Sequence, residues 1–146
     1  MTTITAEEFP DLLRADPTGA SLPAGLTVGE SLDLRRCTGL TTLPADLTVG
    51  GSLYLSGCTG LTALSDGLTV NGALYLTGCT GLTNVIRGGT DARGYEFYGC
   101  RDAKRGFRVI AGCRNFSPEE ARAHWPEGSE CRKLAEGVIA REGELA

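Results

Sequence analysis

The residues best suited to chemistry in this 146-residue chain are six cysteines and a single histidine. Cys37, Cys58, Cys79 and Cys100 recur every 21 residues. Neighbouring strands at a spacing of ~4.8 Å would bring such cysteines within disulfide range, but with parallel Cβ vectors rather than facing sulfurs. Free cysteine packs as a small hydrophobe, so the spacing predicts a buried structural ladder. Cys100, Cys113, His124 and Cys131 have the residue types of a Cys₃His zinc set. Their spacings of 13, 11 and 7 lack the tight CxxC or HxxxH pair that marks such sites, and no metal is expected. Cys113 and His124 form the one nucleophile–base pair on offer. Such a pair needs an orienting third group, and neither Asn115 nor any other residue is marked for that role. There is no phosphate loop, paired-carboxylate motif or dinucleotide fingerprint. The reading is a non-enzymatic chain without catalytic residues or cofactors. A Cys-dependent enzyme is the most distant alternative.

The elements that carry the cysteines follow from the same period. Residues 22–42, 43–63 and 64–84 align without gaps. The second segment reads LPADLTVGGSLYLSGCTGLTA. Its constant columns include Leu26/Leu47/Leu68, Val28/Val49/Val70, Leu32/Leu53/Leu74, Leu34/Leu55/Leu76 and Leu40/Leu61/Leu82. A degraded fourth repeat would put Tyr95 in the Leu74 column, Phe97 in the Leu76 column and Cys100 in the Cys79 column. Each repeat is too small to bury its own apolar face, so repeats must stack. Leu-x-Leu is strand alternation, and a short Leu-Thr-Val strand precedes it. Most of the 21 glycines are then turn residues, as in Gly39/Gly60/Gly81 and Gly57/Gly78/Gly99.

The run SLYLSGCTGLTALS resembles a leucine-rich repeat, LxxLxLxx(N/C)xLxxL, of the short bacterial type that carries Leu-Pro. The additional LTVGG piece departs from that pattern and moves it toward a β-solenoid. The resemblance implies an α/β repeat fold, a leucine-rich-repeat-like β-solenoid of about four coils over residues 22–100. Residues 1–21 would supply an N-terminal capping helix and linker. In that segment Thr5-Ala6-Glu7-Glu8 has capping-box spacing, and Phe9, Leu12 and Leu13 form an apolar stripe, giving a helix over 5–15. Residues 101–146 would form a C-terminal capping unit of a hairpin plus two helices. Gly106 to Cys113 reads as a strand hairpinned with Tyr95 to Arg101. Ser117 and Ser129 start the helices, the second burying Cys131, Leu134, Ala135, Val138 and Ile139. The stretch FRVIAGCRNFSPEEARAHW is similar to a tail module of phage and prophage repeat proteins, which implies a mobile-element origin.

Aligned outward columns make binding surfaces in stacked repeats. Asp33, Tyr54, Tyr75 and Glu96 form one column here; Arg35, Ser56, Thr77 and Tyr98 form its neighbour. Their Tyr and Arg residues are of the kind that anchors protein interfaces. The net charge of −4 and pI near 5 argue against a general nucleic-acid or anionic-membrane binder. Charge is nevertheless uneven: net −5 over 1–86, +4 over 87–114 and −3 over 115–146. The basic hairpin 87–114, with Arg93, Arg101, Lys104, Arg105, Arg108 and Arg114, is the basis of an alternative nucleic-acid-binding reading. No apolar run approaches the ~20 residues of a membrane span, and no signal peptide is recognised, so a cytoplasmic location is expected. The leading expectation is a phage or prophage accessory protein that binds and inhibits a host protein, with a defence complex as the target. The partner's identity and the choice between monomer and dimer are open at this point.

Overall fold

The computed structural model describes residues 2–145. It is a mixed α/β fold with two parallel sheets, one antiparallel sheet and three helices. Strand β1 (Thr2–Ile4) leads into α1 (Glu8–Ala15). Each of the three repeats then gives two short strands. They are β2 (Leu26–Val28) and β3 (Leu32–Asp33), β4 (Thr48–Val49) and β5 (Leu53–Tyr54), then β6 (Thr69–Val70) and β7 (Leu74–Tyr75). The first member of each pair builds the parallel sheet β1-β2-β4-β6, and the second builds the parallel sheet β3-β5-β7. The registers match the 21-residue period: Thr27 lies beside Thr48 and Thr69, and Leu32 beside Leu53 and Leu74.

The leucine columns cause this register. Leu26, Leu32, Leu34, Leu40, Leu47, Leu53, Leu55 and Leu61 are all at most 1% exposed and form one core with Phe9. Burying each leucine stabilises the fold by ~1.5–3 kcal/mol before entropy is counted. A slip of one residue would turn these side chains to solvent. The cysteines join the same core. The Cys58 thiol donates to the Leu34 carbonyl at 3.0 Å, and the Cys79 thiol donates to the Leu55 carbonyl at 2.9 Å. All six cysteines are free. Burial pushes the Cys79 thiol up to about 11 and the Cys100 thiol up to about 12, so neither is a thiolate near neutral pH.

The expected N-terminal helix is shorter than 5–15. Thr5 and Glu8 make the two reciprocal capping bonds, the helix begins at Glu8, and Phe9 and Leu13 are buried beneath it. Residues 2–4 instead add a parallel strand to β2, an element too short to show in the pattern. After the helix, Asp16 accepts hydrogen bonds from the Thr18 hydroxyl at 2.6 Å, the Ser21 amide at 2.9 Å and the Thr18 amide at 3.2 Å. These bonds hold its carboxyl down from 3.8 to about 2. A folded-state pKa below the unfolded one means a contribution present above the unfolded value. It is lost as pH falls through the folded value, here between about 4 and 2. Carboxyl-detected NMR titration should place the Asp16 midpoint near 2, and a midpoint near its ordinary value would show that this loop is open in solution.

The fourth repeat is where the sequence expectation fails. Parallel pairing ends at Tyr75. The following chain makes an antiparallel sheet ordered β11-β10-β9-β8, from β8 (Ile86–Thr90), β9 (Glu96–Asp102), β10 (Gly106–Ala111) and β11 (Arg114–Phe116). The expected hairpin is present as β9 and β10, with Gly106 beside Asp102 and Ala111 beside Phe97. Tyr95 is 48% exposed rather than in a core column. Phe97 belongs to a second core, with Trp125, Phe107, Val109 and Val138. It is Tyr98, not Phe97, that enters the leucine core beside Cys100 and Ile110. Helices α2 (Pro118–His124) and α3 (Glu130–Ala140) pack against this sheet. α2 starts with the anticipated Ser117–Glu120 capping box.

Candidate interaction surface

On the solvent side of β3-β5-β7 the chain presents Asp33 and Arg35, then Tyr54, then Tyr75. The parallel register sets the two tyrosine rings face to face, with centroids 4.7 Å apart and planes within 5°. Arg35 lies over the Tyr54 ring at 5.6 Å. It is itself fixed by a two-pronged pair with Asp33, at 2.9 and 2.7 Å. That hydrogen bond keeps the Asp33 carboxyl below its ordinary pKa. Partial burial, then the Tyr54 phenol and the nearby Cys113 thiol, raise the Tyr75 pKa. The Tyr75 phenol is therefore neutral near pH 7. The result is a rigid strip of a salt bridge, a cation–π contact and stacked phenols, with few rotamers left to lose on binding.

Two residues assigned to this face lie elsewhere. Glu96 and Tyr98 are in β9, which pairs with β8 and β10 and not with β7. Tyr98 is 2% exposed. Its hydroxyl donates to Glu96 and to the Leu76 carbonyl. Burial and the Glu96 carboxylate push its pKa up.

The basic residues of 87–114 are spread over several tasks. The third repeat has no fourth repeat to receive its backbone groups, and side chains of the antiparallel sheet take that place. Arg105 donates to the carbonyls of Val70 and Asn71, each at 3.0 Å. Arg87 donates to Cys79 and Leu82, and Asn115 donates to Gly72 at 2.8 Å. Asp102 accepts the Val70 amide at 2.8 Å, and the Ala103 amide donates to the Leu68 carbonyl. Arg108, expected on a surface patch, is 4% exposed. It is held by the Asn115 side chain at 2.7 Å, the Asn115 carbonyl at 2.6 Å and Glu120 at 3.4 Å. Arg93 pairs with Asp91 and covers Tyr95, and Arg101 pairs with Glu142. Of the six assigned bases, only Lys104 and Arg114 make no hydrogen bond or ion pair through their side chains among the described residues, Arg105 bonding to backbone carbonyls alone. This closing role was not legible, because charge counting gives a sign and not a direction.

The chemical candidates are also separated. Cys100 is buried and Cys113 is exposed. Cys131 donates to Asp91 at 3.6 Å. The His124 ring packs 5.0 Å from Phe116 and 5.4 Å from Trp125. No group of three or more His, Cys, Asp or Glu among the described residues is placed to hold a metal. Among the described residues no helix is long and apolar enough to cross a membrane. Comparison with models of known protein families, with curated proteins and with solved structures gives no match.

Proposed function

We propose that this chain is a non-enzymatic protein-binding module, a leucine-rich-repeat-like solenoid whose face β3-β5-β7 is the binding surface. The antiparallel sheet and its two helices close the stack. The observation that carries this reading is the Arg35–Tyr54–Tyr75 strip, preordered on strands and rich in the residue types that dominate interface energetics. The resemblance of the stretch FRVIAGCRNFSPEEARAHW to a tail module of phage and prophage repeat proteins supports a role as an accessory protein of a mobile element. In this reading it binds and inhibits a host protein in the cytoplasm, with a defence complex as the target class. The nucleic-acid alternative is weakened by the engagement of Arg93, Arg101, Arg105 and Arg108 within the chain.

The test is capture from host lysate by tagged protein, followed by mass spectrometry. Tyr54→Ala combined with Tyr75→Ala should reduce recovery of the specific partner at least tenfold, given the ~2 kcal/mol or more typical of a binding hot spot. The double variant should stay folded, since the lost stacking contributes about 1 kcal/mol. Full capture by the folded double variant would remove this face from consideration.

A further inference from the structure

The two ends of the repeat stack are finished differently, and the difference leaves an unpaired strand edge. Between repeats, alternate amides donate in one direction. Leu32, Leu34 and Arg36 donate to the carbonyls of Ser52, Tyr54 and Ser56 at 2.8–2.9 Å. Leu53, Leu55 and Gly57 donate to Ala73, Tyr75 and Thr77 at 2.9–3.0 Å. By the same translation, the carbonyls of Ser31, Asp33 and Arg35 should receive three amides from a preceding strand. Among the described residues nothing donates to them. Elsewhere the first repeat is covered. β1 pairs with β2, and the Thr18 carbonyl accepts the Thr41 and Thr42 amides at 3.0 and 3.2 Å.

Beside this edge lies a mostly apolar groove of about 380 Å³, lined by Pro10, Leu13, Pro17, Leu34, Cys37 and Leu40, with Arg14 and Asp33 as its charged members. Cys37 is the one ladder cysteine below Cys100 with no preceding carbonyl to receive its thiol; Cys58 and Cys79 both have one. Both features mark the place of an absent apolar strand. A partner strand lying parallel would set one outward residue beside Asp33 and the next beside Arg35. Opposite charges directly across a strand pair are favoured. Unmatched charges discourage indiscriminate pairing at an edge.

We propose that the β3 edge binds an extended peptide segment of a partner protein by strand addition. The segment has the pattern apolar–basic–apolar–acidic. Its two apolar amides donate to Ser31 and Asp33, its second apolar side chain enters the groove, and its charges meet Asp33 and Arg35. This site adjoins the Tyr54–Tyr75 strip and shares Asp33 and Arg35 with it, but the peptide pairs along the β3 edge and does not need the tyrosine rings.

The probe is a fluorescein-labelled acetyl-Ser-Leu-Lys-Leu-Glu-Gly amide, titrated with the full chain in fluorescence anisotropy. Saturable binding is expected, with amide NMR shifts concentrated at Ser31 to Arg36. N-methylation of both leucine amides in the peptide should weaken binding at least tenfold without touching the protein. The charge-swapped Ser-Leu-Glu-Leu-Lys-Gly should bind several-fold more weakly. Gly39→Phe plugs the groove from a position where an added Cβ meets only Pro17, at 3.7 Å, so it should fold and lose the peptide. Absence of saturable binding, equal binding of the N-methylated peptide, or full binding by Gly39→Phe would overturn the proposal. So would a dimer in sedimentation that Gly39→Phe dissociates and the peptide does not, because the edge would then belong to a second copy of this chain.

Discussion

Asp102→Ala should lose about 3 kcal/mol of stability, a fall in Tm of roughly 10 °C for a chain of this length. Asp102 is 8% exposed at the end of β9. One carboxylate oxygen accepts the Val70 amide, and the other accepts the amides of Lys104 and Arg105, both at 2.9 Å. A single side chain thus caps the last strand of the repeat sheet and shapes the turn that brings Arg105 to the Val70 and Asn71 carbonyls. Alanine leaves the Val70 amide buried without an acceptor and frees the turn, so Arg105 loses its aim as well. The two turn amides are close to solvent and can recover with water, which sets the estimate near 3 rather than higher. Asp102→Asn retains one carbonyl acceptor and should fall between wild type and alanine. Thermal unfolding followed by circular dichroism is the measurement. A Tm within 2 °C of wild type for the alanine variant would mean that the antiparallel sheet does not seal the stack.

The repeat registers were legible because buried leucines recur without gaps, and only one alignment of strands buries them all. The end of the stack was not. Tyr95, Phe97 and Cys100 continue the column spacing, yet the chain there turns back on itself. Gly88 and Gly99 show why. An added Cβ at Gly88 would lie 2.2 Å from a Val138 methyl, and one at Gly99 would lie 2.6 Å from the other. These glycines exist to let α3 approach β8 and β9. Gly99 therefore does not continue the turn column of Gly57 and Gly78. The column itself is real. Arg36, Gly57 and Gly78 all have φ between 61° and 80°, and only the first repeat tolerates a side chain there. A one-dimensional match cannot separate a glycine that turns the chain from one that admits a helix.

The candidate surface was half legible for a related reason. Alternation shows that Asp33, Tyr54 and Tyr75 face outward as long as the sheet is parallel. It carries no information once the pairing becomes antiparallel, and so Glu96 and Tyr98 were assigned to a face they do not share. Arg108 and Asn115 were obscured in the same way. Their bond to each other spans the antiparallel pair β10–β11, and Asn115's bond to Gly72 joins residues 43 positions apart.

Gly51→Val should cost about 3 kcal/mol or more and lower Tm by roughly 10 °C, while Gly29→Ala should stay within ~0.5 kcal/mol of wild type. The column Glu30, Gly51, Gly72 gives the reason. The first repeat has no repeat before it and carries glutamate. At Gly51 an added Cβ would sit 2.5 Å from the Ser31 hydroxyl oxygen and 2.6 Å from the Ser31 amide nitrogen. At Gly72 it would meet the Ser52 hydroxyl at 2.8 Å and the Gly51 carbonyl carbon at 2.9 Å. Ser31 and Ser52 are themselves part of the ladder, since their hydroxyls accept the Ser52 and Ala73 amides at 3.0 and 3.1 Å. Relief at Gly51 therefore needs the first two repeats to move apart, breaking the Leu32–Ser52 and Gly50–Val28 hydrogen bonds that flank the clash. Gly29 has nothing within 4 Å of an added Cβ, so its substitution controls for glycine's backbone entropy alone. Chemical denaturation of the two variants separates the terms. Equal loss at both positions would show that the native backbone conformation, and not close approach between repeats, requires glycine here. Loss at Gly51 alone makes close approach between repeats the constraint that keeps it glycine.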